Sequence, residues 1–249
     1  SPNTEVVDSS VISQWITVDD NMQVTFNQDA VKQYIADLAA KYDTVGKTRN
    51  FTTATGNVVQ VEGGGYGWKI DQDAEYNALI TNIQNAETVT REPNYSSRAA
   101  THDANDWGTT YAEVDLTAQH MYFIQNGQIA MQCDIVTGNP NKGNATPQGM
   151  YSLYYKQQKQ VLRGKKLEDG TYEYESPVDY WMPFNGGVGM HDASWRSDFG
   201  GTIYKTKGSH GCINMPPAKA QEMYGYVQKG TPVICYHLAG TERSSEQEK

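Results

Sequence analysis

The chain has 249 residues, 38% of them hydrophobic and 20% charged, and a formal net charge of −9, so it can bury a substantial core and is long enough for two domains of ordinary size. No apolar run reaches the roughly eighteen residues of a membrane span, and an acidic chain without clustered Lys and Arg is a poor candidate for binding nucleic acid or an anionic membrane. The acidity is concentrated up to Gly108, where 15 acidic residues meet 7 basic ones, whereas from Thr109 onward 14 meet 13.

Taken in order, residues 1–10 are polar and expected to be frayed. Two short strands, 15–18 and 22–26, flank the turn residues Asp19-Asp20-Asn21. Asn27 then caps a helix whose buried stripe is Val31, Tyr34, Ile35, Leu38 and Tyr42. Residues 49–53 and 57–61 form a hairpin around Ala54-Thr55-Gly56. The following cluster, Glu62-Gly63-Gly64-Gly65-Tyr66-Gly67-Trp68, has no Gly-Lys-Ser/Thr ending and no strand-to-helix frame, so it reads as a tight bend rather than a phosphate loop. A second helix starts at Asp71 or Asp73 and buries Tyr76, Leu79, Ile80 and Ile83. Residues 92–106, rich in Asn, Ser, Thr and Asp, read as a connection between domains.

From Tyr111 the chain changes to short strands and turns, the composition of an all-β domain. Strands are expected at 111–115, 120–125 and 128–133, the last two joined by Asn126-Gly127, a strong two-residue hairpin signal. Residues 139–145 read as an exposed loop. Residues 156–174 read as an extended hairpin turning at Asp169-Gly170, either a flap over a site or a solvated ribbon. Pro216 and Pro217 open a helix with the stripe Ala220, Met223, Tyr224 and Val227, Gly230 closes it, and 231–236 is a last strand. The tail from Thr241 on is charged and expected to be disordered. His102, His120 and His237 receive no role.

Three cysteines, Cys133, Cys212 and Cys235, allow at most one disulfide, which rules out a disulfide scaffold. Cys133 and Cys235 lie in strand patterns and read as buried free thiols, with a bridge between them as the alternative. Cys212 is different. It sits in Ser209-His210-Gly211-Cys212-Ile213-Asn214, where His210 would share its face on a strand and Gly211 would let the backbone approach a substrate. Alone, such a cysteine is more often a small buried hydrophobe than a nucleophile. A second histidine ends the glycine-rich segment Gly186-Gly187-Val188-Gly189-Met190-His191-Asp192, 21 residues before Cys212, a separation that suits two strand ends brought together across a loop. A cysteine with a histidine elsewhere in the chain is the signature of a thiol enzyme.

His191, a gap, and then Ser209-His210-Gly211-Cys212-Ile213-Asn214 resembles the signature of L,D-transpeptidases with a YkuD-type catalytic domain. Thr137-Gly138 and Thr146-Pro147-Gln148-Gly149-Met150-Tyr151 resemble that family's threonine-glycine and Thr-Pro-x-Gly segments, and the likeness runs from about Gly108 to Leu238. More weakly, Ala39-Ala40-Lys41-Tyr42-Asp43-Thr44, Arg49-Asn50-Phe51 and Gly64-Gly65-Tyr66-Gly67-Trp68 resemble the peptidoglycan-binding module that precedes some of these domains. A simple spacer explains the first domain equally well. The whole chain looks like a two-domain member of the family. The resemblance implies an α+β N-terminal domain over 1–108 and a mostly-β, sandwich-like catalytic domain over 109–249 with one C-terminal helix.

The resemblance makes Cys212 the nucleophile and His191 the base that takes its proton and later protonates the leaving amine, with His210 in support. From sequence alone the two histidines remain exchangeable. The amides of Gly211 and Cys212 would stabilise the oxyanion, and either Asp192 or a backbone carbonyl would orient His191. Asn214 would contact substrate and Ser209 would brace the loop. Tyr180, Trp181, Met190 and Trp195 would wall the pocket, with a core role for each equally open. The implied donor is a peptidoglycan tetrapeptide stem, which loses D-alanine and is passed to an amine on a second stem as a 3-to-3 cross-link. Carbapenems would acylate the same thiol, and the implied chemistry needs no cofactor or metal.

The implied location is extracytoplasmic, at the cell wall, with membrane contact only through a segment absent from this sequence. The first residues lack the features of a signal peptide, which is compatible with a removed export signal or an intracellular protein. Two rivals stay open. One is an L,D-carboxypeptidase or other cysteine hydrolase of the same stems. The other is a wall-binding protein in which His191, His210 and Cys212 hold zinc, although the usual paired spacing of zinc ligands is missing.

Overall fold

A computed structural model of the protein describes residues 3–242, so the end of the charged tail and the first two residues lie outside it. In chain order run α1 (Ser9–Ile12), β1 (Ile16–Val18), β2 (Val24–Phe26), α2 (Gln28–Tyr42), β3 (Arg49–Thr52), β4 (Val58–Val61), β5 (Lys69–Ile70), α3 (Gln72–Gln84) and β6 (Tyr95–Ser97). These are followed by β7 (Tyr111–Asp115), β8 (His120–Gln125), β9 (Gln128–Asp134), β10 (Gly149–Ser152), β11 (Gln157–Arg163), β12 (Glu175–Asn185), β13 (Val188–Asp192), α4 (Tyr204–Lys207), β14 (Ile213–Met215), α5 (Pro217–Tyr226) and β15 (Pro232–Tyr236). They form two compact units. One takes the residues up to Val45 together with Gly67–Asp106, and the other takes Gly46–Tyr66 together with the residues from Trp107 on. This partition is discontinuous, where the sequence reading draws a single boundary at 108.

In the first unit the Asn27 side chain accepts the Ala30 N–H and caps α2, satisfying one of the donors a helix start leaves open. Val31, Ile35 and Ala39 of α2 are buried with Trp15 and Ile70, and Tyr76, Leu79, Ile80 and Ile83 of α3 pack partly buried against them. Asp71 is the cap of α3, accepting from Ala74 N–H at 3.0 Å. Three expectations change. Tyr42 lies outside the core and gives its hydroxyl to Glu5. Residues 1–10 are not frayed throughout, because Asp8 accepts from Ser10 and Val11 amides and starts α1.

The polar stretch 92–106 is structured too. Tyr95–Ser97 pairs with Lys69–Ile70, the Trp68 indole N–H donates to Thr101 O at 2.7 Å, and the Trp68 and His102 rings stack at 3.8 Å. A few aromatic contacts anchor a segment whose composition alone reads as linker.

The second unit contains a five-stranded sheet in the order β10-β15-β7-β8-β9 and a four-stranded sheet in the order β11-β12-β13-β14. Val114, Phe123 and Val233 of the first sheet share one core with Met182, Phe184, Met190, Ile213 and Met215 of the second and with Met223 and Val227 after it, each such side chain contributing ~2 kcal/mol by burial. The mostly-β layering with a C-terminal helix is therefore as expected. One further helical turn, α4, is added ahead of the motif. Asn126 and Gly127 both have positive φ, 52° and 79°, as a type I′ hairpin turn requires.

Cys133 and Cys235 are buried free thiols. At Gly64 a side chain would meet Met150 O at 1.9 Å, which explains the glycine-rich bend. The β3–β4 hairpin covers the outer side of the sheet: the Phe51 ring lies 5.6 Å from Tyr111 and 5.9 Å from Tyr236. As a result β7 is buried on nearly every residue rather than alternately.

That cover also buries a carboxylate. Glu113 accepts from Ala54 N–H at 2.8 Å and Tyr236 O–H at 2.8 Å, and burial pushes its carboxyl up to about 7 against those two bonds. A raised carboxyl pKa means that the folded state holds the proton that the unfolded state has released. Stability should therefore fall as pH rises from about 4.5 to about 7. Glu113→Gln is expected to flatten that slope, measured as the thermal midpoint against pH. An unchanged slope would assign the dependence to other groups.

Candidate active site

The two segments carrying the candidate residues meet at the parallel pair β13–β14, where Met190 is opposite Ile213 and His191 opposite Asn214. Cys212 directly precedes β14, and its sulfur lies against the backbone of Gly187 and Gly189 in the segment that leads to His191. Cys212 Sγ is 3.5 Å from Gly187 O, and the Gly189 backbone gives it a hydrogen bond that favours the thiolate. Burial outweighs that bond and pushes the thiol up to about 11.

His191 is 3% exposed, and its Nδ1 lies 2.8 Å from Asp192 O. A carbonyl only accepts, so Nδ1 carries the hydrogen and the neutral ring keeps its lone pair on Nε2. Burial lowers the imidazole pKa below the ordinary 6.5, against the Asp192 carbonyl and charge, while Arg196 lowers it further. At rest the thiol and the imidazole are therefore both neutral, the ring oriented by the Asp192 carbonyl. The Asp192 carboxylate does something else: it accepts the Asp179 and Tyr180 amides at 2.8 Å each and braces the neighbouring strand. The orienting group for His191 is the backbone carbonyl, one of the two alternatives the sequence leaves.

The motif itself is not strand. β14 begins only at Ile213, and Gly211 has φ +123°, a conformation that favours glycine. The strand spacing that would put His210 beside Cys212 is absent. His210 is exposed, stacks on the Tyr174 ring at 4.7 Å and lies 3.9 Å from Glu173 Oε1. Ser209 Oγ accepts the Gly211 N–H at 3.0 Å and donates to Cys212 O at 2.6 Å, two bonds within the loop that carries the thiol. It also occupies the Gly211 amide, one of the two expected oxyanion donors. The Cys212 N–H is the other of the two.

The expected pocket walls separate. Trp181 is paired across the strands with His191, its ring 6.0 Å away, and lies over Gly189, where a side chain would meet it at 2.7 Å. Trp195 is 50% exposed with its ring 5.8 Å from His191. Met190 is fully buried in the core and walls nothing. Tyr180 packs on that core, its ring 5.3 Å from Tyr224. Asn214 is buried and exchanges backbone hydrogen bonds with Val136, and its side-chain Oδ1 has no hydrogen-bond partner among the described residues. Among the described residues no group of three His, Cys, Asp or Glu side chains is placed to hold a metal ion.

A family model described as "L,D-transpeptidase catalytic domain" matches residues 109–235, and one described as "Putative peptidoglycan binding domain" matches residues 2–91. The chain belongs to the L,D-transpeptidase family. A crystal structure of a cysteine-to-serine mutant of Enterococcus faecium L,D-transpeptidase is 39% identical, with 92% of this chain and 90% of that one covered and a TM-score of 0.71. The avibactam carbamoyl form of the enzyme termed Ldtfm is 40% identical over 92% of this chain and 88% of that one, also at 0.71. No curated protein matches.

In this L,D-transpeptidase the Thr-Gly and Thr-Pro-x-Gly segments hold the motif in place, a role the residues alone do not reveal. Thr146 Oγ1 donates to Gly211 O at 2.6 Å and accepts from Gly138 N–H at 2.9 Å. Gln119 clasps Thr137 through two bonds, Nε2 to Thr137 Oγ1 and Thr137 N–H to Oε1. Gly138 admits no side chain, which would lie 1.9 Å from Asn144 O and 2.7 Å from Gly211 Cα. Thr146→Val keeps the volume and strands two buried backbone groups, so a loss of about 1–3 kcal/mol is expected. Denaturant midpoints measure it, and a variant as stable as the parent would mean that the pair of bonds contributes nothing. Tyr174, whose ring packs on His210, is the other residue missed, since an aromatic near a hairpin turn carries no signal of its destination.

Proposed function

We propose that this enzyme cross-links peptidoglycan stems through a thioester on Cys212. The Cys212 sulfur attacks the carbonyl of the third residue of a tetrapeptide donor, and its proton passes to Nε2 of His191. The C–N bond to the terminal D-alanine breaks as His191 returns that proton to the leaving amine. An amine of a second stem then attacks the thioester, giving up its proton to His191 and releasing the thiol in a 3-to-3 cross-link. The Cys212 amide is the oxyanion donor in this reading. His210 and Ser209 act on the shape of the loop.

The observation that carries the reading is the locked tautomer of His191 on the strand beside the thiol. A thiol held up at about 11 is a poor nucleophile unless a base takes its proton during attack, and a buried neutral imidazole with a free Nε2 is such a base. Mass analysis of products from a tetrapeptide substrate tests it: a species larger by one stem, less D-alanine, is expected. D-alanine release with only tripeptide formed would instead favour the L,D-carboxypeptidase.

The avibactam carbamoyl form of Ldtfm supports the expectation that ring-strained acylating drugs, carbapenems among them, modify Cys212 here. Intact mass with peptide mapping tests that, and an adduct on Cys133 or Cys235 would overturn it. The first domain's family match supports contact with the wall polymer and an extracytoplasmic site of action. No helix among the described residues is long and apolar enough to cross a membrane.

A further inference from the structure

We propose that the cleft next to His191 is a carboxylate-binding subsite, in which Arg196 and Lys207 hold a free carboxylate of a stem peptide. The proposal rests on the peptide-transfer reading above and adds a recognition element to it. The cleft has a volume of about 430 Å³ and is lined by Trp195, Arg196, Ser197, Asp198, Ile203 and Lys207, a size that suits a short peptide segment. It adjoins the chemistry, because its wall Trp195 has its ring 5.8 Å from that of His191.

The cationic side is built into the fold. Arg196 N–H bonds Ala193 O, and Ala193 N–H in turn bonds Met215 O at the end of β14. The guanidinium reaches across to α4, where Nη2 donates to Lys207 O at 3.0 Å. Its Nε is buried and has no hydrogen-bond partner, and the side chain makes no ion pair among the described residues. A guanidinium keeps its charge even when partly desolvated, so Arg196 gives the cleft a positive charge that no carboxylate among the described residues pairs with. Lys207 adds a second positive charge without an ion pair among the described residues.

The one acidic residue lining the cleft, Asp198, accepts from Ser197 Oγ at 2.9 Å and leaves the lining with a net positive charge. A planar carboxylate is the anion whose geometry fits the remaining guanidinium donors. On the substrate side, a tetrapeptide donor ends in such a group, and an acceptor stem carries one as well.

The test measures transfer by the full chain with donors and acceptors ending in either a free carboxylate or a carboxamide, for the parent, Arg196→Lys and the double variant R196Q/K207Q. The parent is expected to lose about tenfold or more in kcat/KM on amidation of one of the two peptides, mainly through KM. The amidated peptide that matters identifies the source of the carboxylate. R196Q/K207Q should lose this preference, and Arg196→Lys should retain part of it. A double variant that discriminates as the parent does overturns the proposal, as does a parent indifferent to amidation of both peptides.

If no transfer is seen at all, the transfer reading fails separately. Binding of a D-alanine-terminated tetrapeptide, followed by Trp195 emission with Trp195→Phe as reference, then still decides the subsite. Binding at least tenfold weaker in R196Q/K207Q than in the parent supports it, and equal binding refutes it.

Discussion

Cys212→Ala is expected to abolish both transfer and acylation by a carbapenem, with a fall in kcat on the order of 10⁶, as removal of the nucleophile causes in acyl-transfer enzymes. The fold should survive. Cys212 is partly exposed, precedes β14 rather than lying in it, and takes no part in the apolar core, so its loss opens no large cavity. Unchanged thermal stability with no adduct on exposure to a carbapenem is the predicted pair of results. Retained activity would falsify the nucleophile assignment and return attention to Cys133 and Cys235, both of which burial holds above the ordinary thiol range.

The two histidines should separate by more than an order of magnitude. His191→Ala removes the proposed proton acceptor, a contribution of about 10²–10⁴ in rate for a general base, and is expected to lower acylation by that factor. His210→Ala removes an exposed ring that stacks on Tyr174 and faces Glu173, and is expected to cost less than tenfold. If the order is reversed, the roles assigned to the two residues must be exchanged.

The pH profile offers a second handle on the same assignment. Burial disfavours the imidazolium, so His191 remains a base as pH falls below 6.5, and the acid limb of acylation should lie below that value. His210→Ala should leave the limb in place. A limb well above 6.5 would mean that another group governs the reaction.

Much of the local fold was readable from the sequence. The type I′ turn at Asn126-Gly127, the caps Asn27 and Asp71 and the helix after Pro216 are local, because turn and cap chemistry depends on neighbours within a few residues. The contacts that place residues 46–66 in the second unit were not readable, since the Phe51, Tyr111 and Tyr236 rings meet across long sequence separations. The same holds for residues 92–106, where the stacking of His102 on Trp68 overrides a linker-like composition.

The six residues from Ser209 to Asn214, with His191 upstream, supplied by themselves a candidate nucleophile and two candidate bases, and left the two histidines exchangeable. Such chemistry depends on residue type, which is written in the sequence. Tertiary structure alone decided how the supporting groups divide. It gave the orientation of His191 to the Asp192 carbonyl, occupied the Gly211 amide with Ser209, tied the Gly211 carbonyl to Thr146, turned His210 out toward Glu173 and drew Met190 into the core. The reason is geometric. Which hydrogen-bond donor is left open, and which face of a strand is covered, depends on segments dozens of residues apart, and no local pattern records their meeting.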